Sequence, residues 1–320
     1  MLRQRVITAL VLAGAFVAIL ALAPFPVQSL LFALVASAGA WEWAALVGAR
    51  SVILRLAYTV VIPILCFALW MGIDLGGTQS AAAAQPWLAA AALLWSAMLL
   101  GLKYYPAGGW LWGQAWIRAI MGWFMLTATW LAVSVCLILT NGPIVLFVLI
   151  LTVAVADIGA YFAGRRFGQH ALAAAISPAK TWEGFWGGML GVAALAILIS
   201  QNLPLSQLHL GWGSLLVLGL ATAGASVVGD LTVSLLKREV GLKDSGSLLP
   251  GHGGLLDRPG QYLWRCAGLC TGSPVGGVLI DASGGGIGGH RVNRPVDARC
   301  DSAPPQPVSG DSHGGSPVRR

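Results

Sequence analysis

Charge is what this sequence has least of. Only 10% of its 320 residues are Asp, Glu, Lys or Arg, against about 25% in soluble domains. A chain that is also 57% hydrophobic cannot dress a water-facing surface, which excludes an ordinary soluble enzyme. The surplus of base over acid, 19 against 12, is scattered along the chain and forms no stripe, which argues against nucleic acid as a partner. Cysteine is equally uninformative: the five residues have no framework spacing, and Cys66 and Cys136 sit in apolar runs as packing groups. Cys266 and Cys270 lack matching metal ligands. A Walker lysine motif, a zinc-protease histidine pair and a nucleophile elbow are all missing.

Long apolar runs are what the chain has in abundance. They recur at 6–23, 27–48, 52–71, 87–103, 115–139, 143–163, 185–200 and 211–236, with the seventh beginning nearer Trp182 if its short length is made up. The mean hydropathy is +0.77. Helix is the expected state, because isolated strands leave backbone groups unpaired in lipid. The expected fold class is an all-α polytopic membrane protein with about eight transmembrane helices. The first run could serve as a signal peptide, but the next one follows Pro24 and Pro26 at once, so a retained first span is preferred. Residues 71–86, rich in Gly and Ala, read as a spacer, and the small residues of 213–229 suit close helix packing.

Basic residues mark alternate connections. Arg3 and Arg5 precede the first run; Arg50 and Arg55, Lys103 and Arg118, then Arg165, Arg166 and Lys180 follow the even-numbered ones, and Lys237, Arg238 and Lys243 follow the eighth. The intervening connections carry no Lys or Arg. The positive-inside rule then places the N-terminus and the charged connections in the cytoplasm. It also puts the sixth connection and residues 237–258 on one side, where they can share a site.

After Arg258 the composition changes abruptly. Residues 259–320 hold thirteen Gly and six Arg without a single Lys, and offer neither a core nor a span. The expected organisation is a transmembrane domain over 1–258 and a disordered Gly/Pro/Arg-rich tail over 259–320.

The chemistry-bearing residues cluster in the second half. Asp157 lies inside an apolar run, where an acid is expensive unless paired, solvated or bound to a cation. Ser177 and Pro178 can begin a helix with Glu183 in its first turn, an account that leaves Lys180 and Thr181 over. A lysine and a hydroxyl beside helix N–H groups could cradle a triphosphate. Asp230, Ser234 and Lys237 or Arg238 share one helix face, although both cations could simply anchor the helix at the membrane boundary. Beyond them, Lys243 and His252 can contact phosphate, while Asp244 and Asp257 can accept a hard divalent cation or orient basic partners. The residues alone suggest a membrane enzyme handling Mg²⁺ and phosphates.

The segment from Ser234 through Lys237–Arg238, Lys243–Asp244, Gly246, Leu249–Pro250 and His252–Gly253–Gly254 to Asp257–Arg258 is similar to the signature of phosphatidate cytidylyltransferases. These enzymes are also called CDP-diacylglycerol synthases. Ser177-Pro-Ala-Lys180-Thr181-Trp-Glu183-Gly184 and Asp157 extend the likeness, which covers most of residues 1–258. The resemblance implies a multi-pass enzyme of the cytoplasmic or inner membrane with a cytoplasmic site. Its substrates would be CTP and phosphatidic acid, its setting the membrane lipid, its cofactor Mg²⁺, with a homodimer left open. It implies metal ligation by Asp230 and Asp257, with Asp157 supporting the metal or the lipid headgroup. Lys237, Lys243, Asp244, His252 and Asp257 would form the catalytic set, and Ser177, Lys180, Thr181, Arg238 and Arg258 would bind substrate. The rivals are a catalytically weak or inactive homologue that keeps lipid binding, and a small-solute transporter.

The likeness stops at Arg258. The family pattern continues with an aliphatic residue, a further Asp and a last apolar helix, whereas this chain has Pro259–Gly260 and the polar tail. The family-like terminal helix is therefore absent from the expected fold. Loss of both features at one point is what a shifted reading frame produces; the alternative is a tail native to its lineage.

Overall fold

The computed structural model describes residues 14, 16–77, 79–106, 109–202 and 211–242, all within one compact unit, Met1–Gly286. The other unit, Ile287–Arg320, and the start of the tail lie outside the described residues. Among the described residues eight helices have both ends defined: α1 (Phe25–Val47), α2 (Val52–Ile73), α3 (Ser80–Lys103), the short α4 (Gly109–Gly113), α5 (Ala115–Ile138), α6 (Gly142–Phe167), α7 (Trp182–Asn202) and α8 (Trp212–Val240). All except α4 are long and apolar enough to cross a membrane. They follow the expected runs to within a few residues, except that α3 begins seven residues earlier than its run. Of the first run, residues 16–22 are described and helical.

Local sequence explains the helix ends. Pro26 enters the first turn of α1, where a missing N–H costs nothing, and Gly48 closes the helix with a φ of 96°. Ser51 caps α2 by accepting from the Leu54 N–H at 3.2 Å. The 71–86 spacer is shorter than expected. Its Ala-rich half forms the first turns of α3 because alanine favours helix; Pro86, the seventh residue, lies inside the helix, where its missing N–H gives up one bond to the preceding turn.

The helices are arranged around α5. Its apolar window is 78% buried, against 17% for α2 and 28% for α3 and α7. The outer helices instead carry exposed Ile53, Phe67, Leu93 and Leu190, a lipid-facing surface that would aggregate in water. Polar contacts pin α1 and α2 to α5. Trp130 Nε1 donates to the Ser29 carbonyl at 2.9 Å, and the Ser29 and Ser134 hydroxyls meet at 2.8 Å. Trp43 Nε1 reaches the Arg118 carbonyl at 2.9 Å, and the Tyr58 hydroxyl reaches that of Ala119 at 3.0 Å. Such interhelical bonds contribute about 0.6 kcal/mol each.

The most extensive helix pairing is between α6 and α7, and it is made by glycine. A Cβ on Gly159 would stand 2.7 Å from the Gly187 carbonyl oxygen, one on Gly188 2.7 Å from that of Ala156, and one on Gly184 2.9 Å from that of Ala160. Backbone therefore lies on backbone over Ala156–Gly164 and Gly184–Gly188. Gly184 and Gly188 stand four apart on one face, the small-residue spacing that permits close helix approach. The small residues expected to pack closely on 213–229 do so in part: a Cβ on Gly219 would stand 2.9 Å from Val192 Cγ1 of α7, whereas Gly213 and Gly224 face open space.

Substituting the α6–α7 contact should therefore be costly. Gly159→Leu is expected to lower the stability of the detergent-solubilised protein by about 2 kcal/mol or more, read as a fall in thermal midpoint. Gly224→Ala, which meets open space, should leave the midpoint within the error of the wild type.

Candidate functional site

The close pairing of α6 and α7 forces their connection to fold back tightly. After α6 the chain forms a two-stranded antiparallel hairpin, β1 (Ala171–Ala173) and β2 (Ser177–Thr181), with Ala171 opposite Thr181 and Ala173 opposite Ser177. This corrects the expectation that Ser177 and Pro178 start a helix. They lie on β2, and the helix starts four residues later, at Trp182. Thr181 is its cap: the hydroxyl oxygen accepts the Gly184 N–H at 3.1 Å. Glu183 does occupy the first turn of α7. Its carboxylate takes the His170 N–H at 3.3 Å and meets His170 Nδ1 at 2.6 Å, so it fastens the hairpin to the helix.

The hairpin delivers Lys180 to α8. Its ammonium forms an ion pair with the Asp230 carboxylate, joining residues fifty positions apart in sequence. Neither group is sealed away: the side chains are 27% and 19% exposed. An acid this far inside an apolar helix needs a partner or water, and Asp230 has a cation. On α8, Asp230, Ser234 and Lys237 form a half-exposed stripe, while Leu231, Thr232, Val233, Leu235 and Leu236 are buried. Arg238 is exposed in the last turn. Gly241, at φ 72°, ends the helix; its N–H bonds the Arg238 carbonyl at 3.1 Å, and the Leu242 N–H bonds that of Lys237 at 2.8 Å. The chain is thereby turned out of the helix direction directly before Lys243.

Asp157 lies on α6, half-buried, about two turns deeper than Gly164, and α6 packs on both α7 and α8. Of the residues expected to act together, the structure joins Lys180 with Asp230 and holds Thr181 beside Lys180 as a cap. Ser177 is half-buried at the far end of β2, bridged to Ala173. Lys243, Asp244, His252, Asp257 and Arg258 lie outside the described residues.

Three further features lie outside the expected set, and of these only Glu42, an acid inside the 27–48 run, left a signal in the sequence. The His170–Glu183 clamp has no recognisable spacing. Glu42, fully enclosed in α1 at 2% exposure, is a further intramembrane acid beside Asp157 and Asp230. Near the end of α8, Glu239 is hydrogen-bonded to the Tyr105 side chain in the α3–α4 connection. Burial first, and then the Glu239 carboxylate, push the Tyr105 phenol above its ordinary value, so it stays a neutral donor.

A divalent metal would need hard oxygen donors. Asp157 and Asp230 are of that type, but among the described residues no group of three or more His, Cys, Asp and Glu side chains is gathered to hold one.

The Cytidylyltransferase family profile matches residues 3–263. A phosphatidate cytidylyltransferase of Pseudomonas aeruginosa is 39% identical over 300 residues, covering 89% of this chain and 99% of the relative. That share exceeds the 258 residues before the composition change, so part of the tail aligns as well. One from Haemophilus influenzae is 35% identical over 81% of this chain and 93% of its own length. The chloroplastic phosphatidate cytidylyltransferase 5 of Arabidopsis thaliana is 40% identical over 128 residues, 40% of this chain and 31% of its own.

The Thr181 cap makes a separable prediction. Thr181→Val should cost about 1 kcal/mol and speed hydrogen exchange at the Gly184 amide. Thr181→Ser, which keeps the hydroxyl, should restore slow exchange.

Proposed function

The chain belongs to the cytidylyltransferase family, and on that premise we propose that it transfers CMP from CTP to phosphatidic acid, giving CDP-diacylglycerol and pyrophosphate in phospholipid synthesis. The observation that carries this reading is the pairing of hairpin Lys180 with intramembrane Asp230. It brings a hairpin lysine and a carboxylate inside α8 together, a cation and an acid of the kinds that suit phosphate and metal chemistry. A solute path has no use for such a hairpin, which speaks against transport.

A phosphate oxygen of phosphatidic acid, already anionic at neutral pH, attacks the α-phosphorus of CTP. A new P–O bond forms as the bond to the oxygen bridging the α- and β-phosphates breaks, and pyrophosphate departs with that electron pair. No serine or cysteine nucleophile is required. Lys180, Lys237, Lys243 and His252 hold the phosphates and stabilise charge moving onto pyrophosphate, with Arg238 and Arg258 at the rim. Ser177 and Thr181 line the polar floor; the Thr181 oxygen accepts from Gly184 and its O–H proton stays available to a phosphate. Asp244 orients a basic partner. Carboxylate oxygens suit Mg²⁺, which Asp230 and Asp257 would hold with Asp157 in support. When bound, the cation would offset the triphosphate charge. The site faces the cytoplasm from the inner membrane, on the side where Lys and Arg collect.

Purified protein in mixed micelles with CTP, phosphatidic acid and Mg²⁺ should form CDP-diacylglycerol. Asp230→Asn and Asp257→Asn should each lower turnover by about 100-fold or more. Lack of product from this chain and from a form carrying the family-like terminus would overturn the reading. Product only from the restored form would locate a defect in residues 259–320.

The tail has its own test. If it arose by a shifted frame, one of the other frames across codon 258 encodes an aliphatic residue, an Asp and a long apolar run. If neither frame does, the tail is native to the lineage.

A further inference from the structure

The last turn of α6 carries two cations that no acid neutralises. Arg165 and Arg166 are both exposed. The ion pairs among the described residues are His170–Glu183 and Lys180–Asp230, so neither guanidinium meets a carboxylate there. Other arginines are taken up by the backbone: Arg55 donates to the Ala49 carbonyl, and Arg118 to those of Trp112 and Gly113. Arg165 instead gives one N–H to the Tyr161 hydroxyl oxygen, at 2.9 Å. That bond uses a lone pair of the phenol and leaves its O–H proton to be donated elsewhere. One exposed spot thus offers several N–H donors and an O–H donor under a positive charge. Such a set fits a phosphate, whose oxygens accept from a guanidinium fork.

Below the cations lies hydrocarbon. Ile158, Tyr161, Phe162 and Arg165 are all exposed and fall within one sector of about 100° on α6. Ile158 stands about 10 Å deeper than Arg165 along the axis, at 1.5 Å per residue. The opposite side of α6 bears Ala156, Gly159, Ala160 and Ala163, which meet α7, so the stripe is turned away from that contact. A cation with exposed aliphatic and aromatic groups directly beneath it matches an anionic lipid, headgroup at the boundary and acyl chain alongside the helix. The stripe also adjoins the functional site. Asp157, Tyr161 and Arg165 stand four apart along one ridge. Gly164, beside Arg165, lies against the Thr181 side chain, where a Cβ would stand 3.2 Å from Oγ1.

We propose that Arg165 and Tyr161 form a docking site for the headgroup of phosphatidic acid on the outward face of α6, beside the hairpin that carries Lys180. The proposal rests on the phosphatidic acid reading above. A phosphomonoester suits the site better than a diester, because it presents three peripheral oxygens to the guanidinium and the phenol O–H and has no substituent to fit between them. Arg166, whose guanidinium stands 5.8 Å from the centre of the Phe167 ring, adds a second positive charge that attracts the anion without sharing the fork.

Kinetics give the first test. In mixed micelles, Arg165→Gln should raise the KM for phosphatidic acid about tenfold and Tyr161→Phe about fivefold, with the KM for CTP at the wild-type value. Arg50→Gln removes an exposed cation from another basic connection and should leave the phosphatidic acid KM unchanged. An equal rise with Arg50→Gln would mean general surface charge and overturns the proposal. A wild-type KM in Tyr161→Phe, which keeps both the ring and the net charge, overturns it too, whether or not Arg165→Gln folds. The second test needs no turnover. Purified protein in detergent, without CTP, is titrated with dioctanoyl phosphatidic acid, and bound lipid is counted by native mass spectrometry. The dissociation constant should rise by the same factors in the two variants, and dioctanoyl phosphatidylglycerol, a diester, should bind the wild type about tenfold more weakly. Equal affinity for both lipids, or variants that bind as the wild type does, removes the docking site. Product formed at the wild-type KM by both variants refutes the docking site alone. Binding that depends on Arg165 and Tyr161 in a protein that makes no product refutes the transfer reading and keeps the lipid site.

Discussion

Backbone contact between α6 and α7 sets how the functional half of the chain is arranged. Because Gly159, Gly184, Gly187 and Gly188 allow the two helices to touch without side chains between them, their connection has little width to span. A short hairpin satisfies its own backbone there, and β2 runs straight into α7. Thr181 then has to serve as the cap, and Lys180, one residue before it, is carried to Asp230. Side chains at these glycine positions would push the helices apart and move the lysine with them.

The Lys180–Asp230 pair shows how a membrane protein affords a charge at depth. Both groups are partly accessible, so the pair is neither a buried structural bridge nor a freely solvated one. A buried ion pair contributes little to stability beyond what its desolvation removes. A half-exposed one can exchange partners when a stronger anion or a cation arrives. That is the property a phosphate-handling site needs before its substrates bind.

The other half of the molecule has a different role. Helix α5 is enclosed, and indole and hydroxyl donors fasten α1 and α2 to it. The α3–α4 connection is tied to the end of α8 through Tyr105 and Glu239. The end of α3 and the polar stripe of α8 therefore sit on one framework, with Arg118 fastening α4 to α5 beside it.

The sequence by itself determined that this is a helical membrane protein, where its spans lie and which family it belongs to. Hydrocarbon length and the absence of charge act on each segment separately, so runs such as 115–139 and 211–236 could be read without their neighbours. The stripe of Asp230, Ser234 and Lys237 was legible for the same reason, since helical periodicity is local. Only the tertiary structure decided that Ser177 lies on a strand, that Thr181 caps α7 and that Lys180 meets Asp230. A hairpin of eleven residues (Ala171–Thr181) has no periodicity of its own, and its shape follows from how closely α6 and α7 approach. That approach depends on glycines facing each other across two helices, a relation that exists only once the helices have packed.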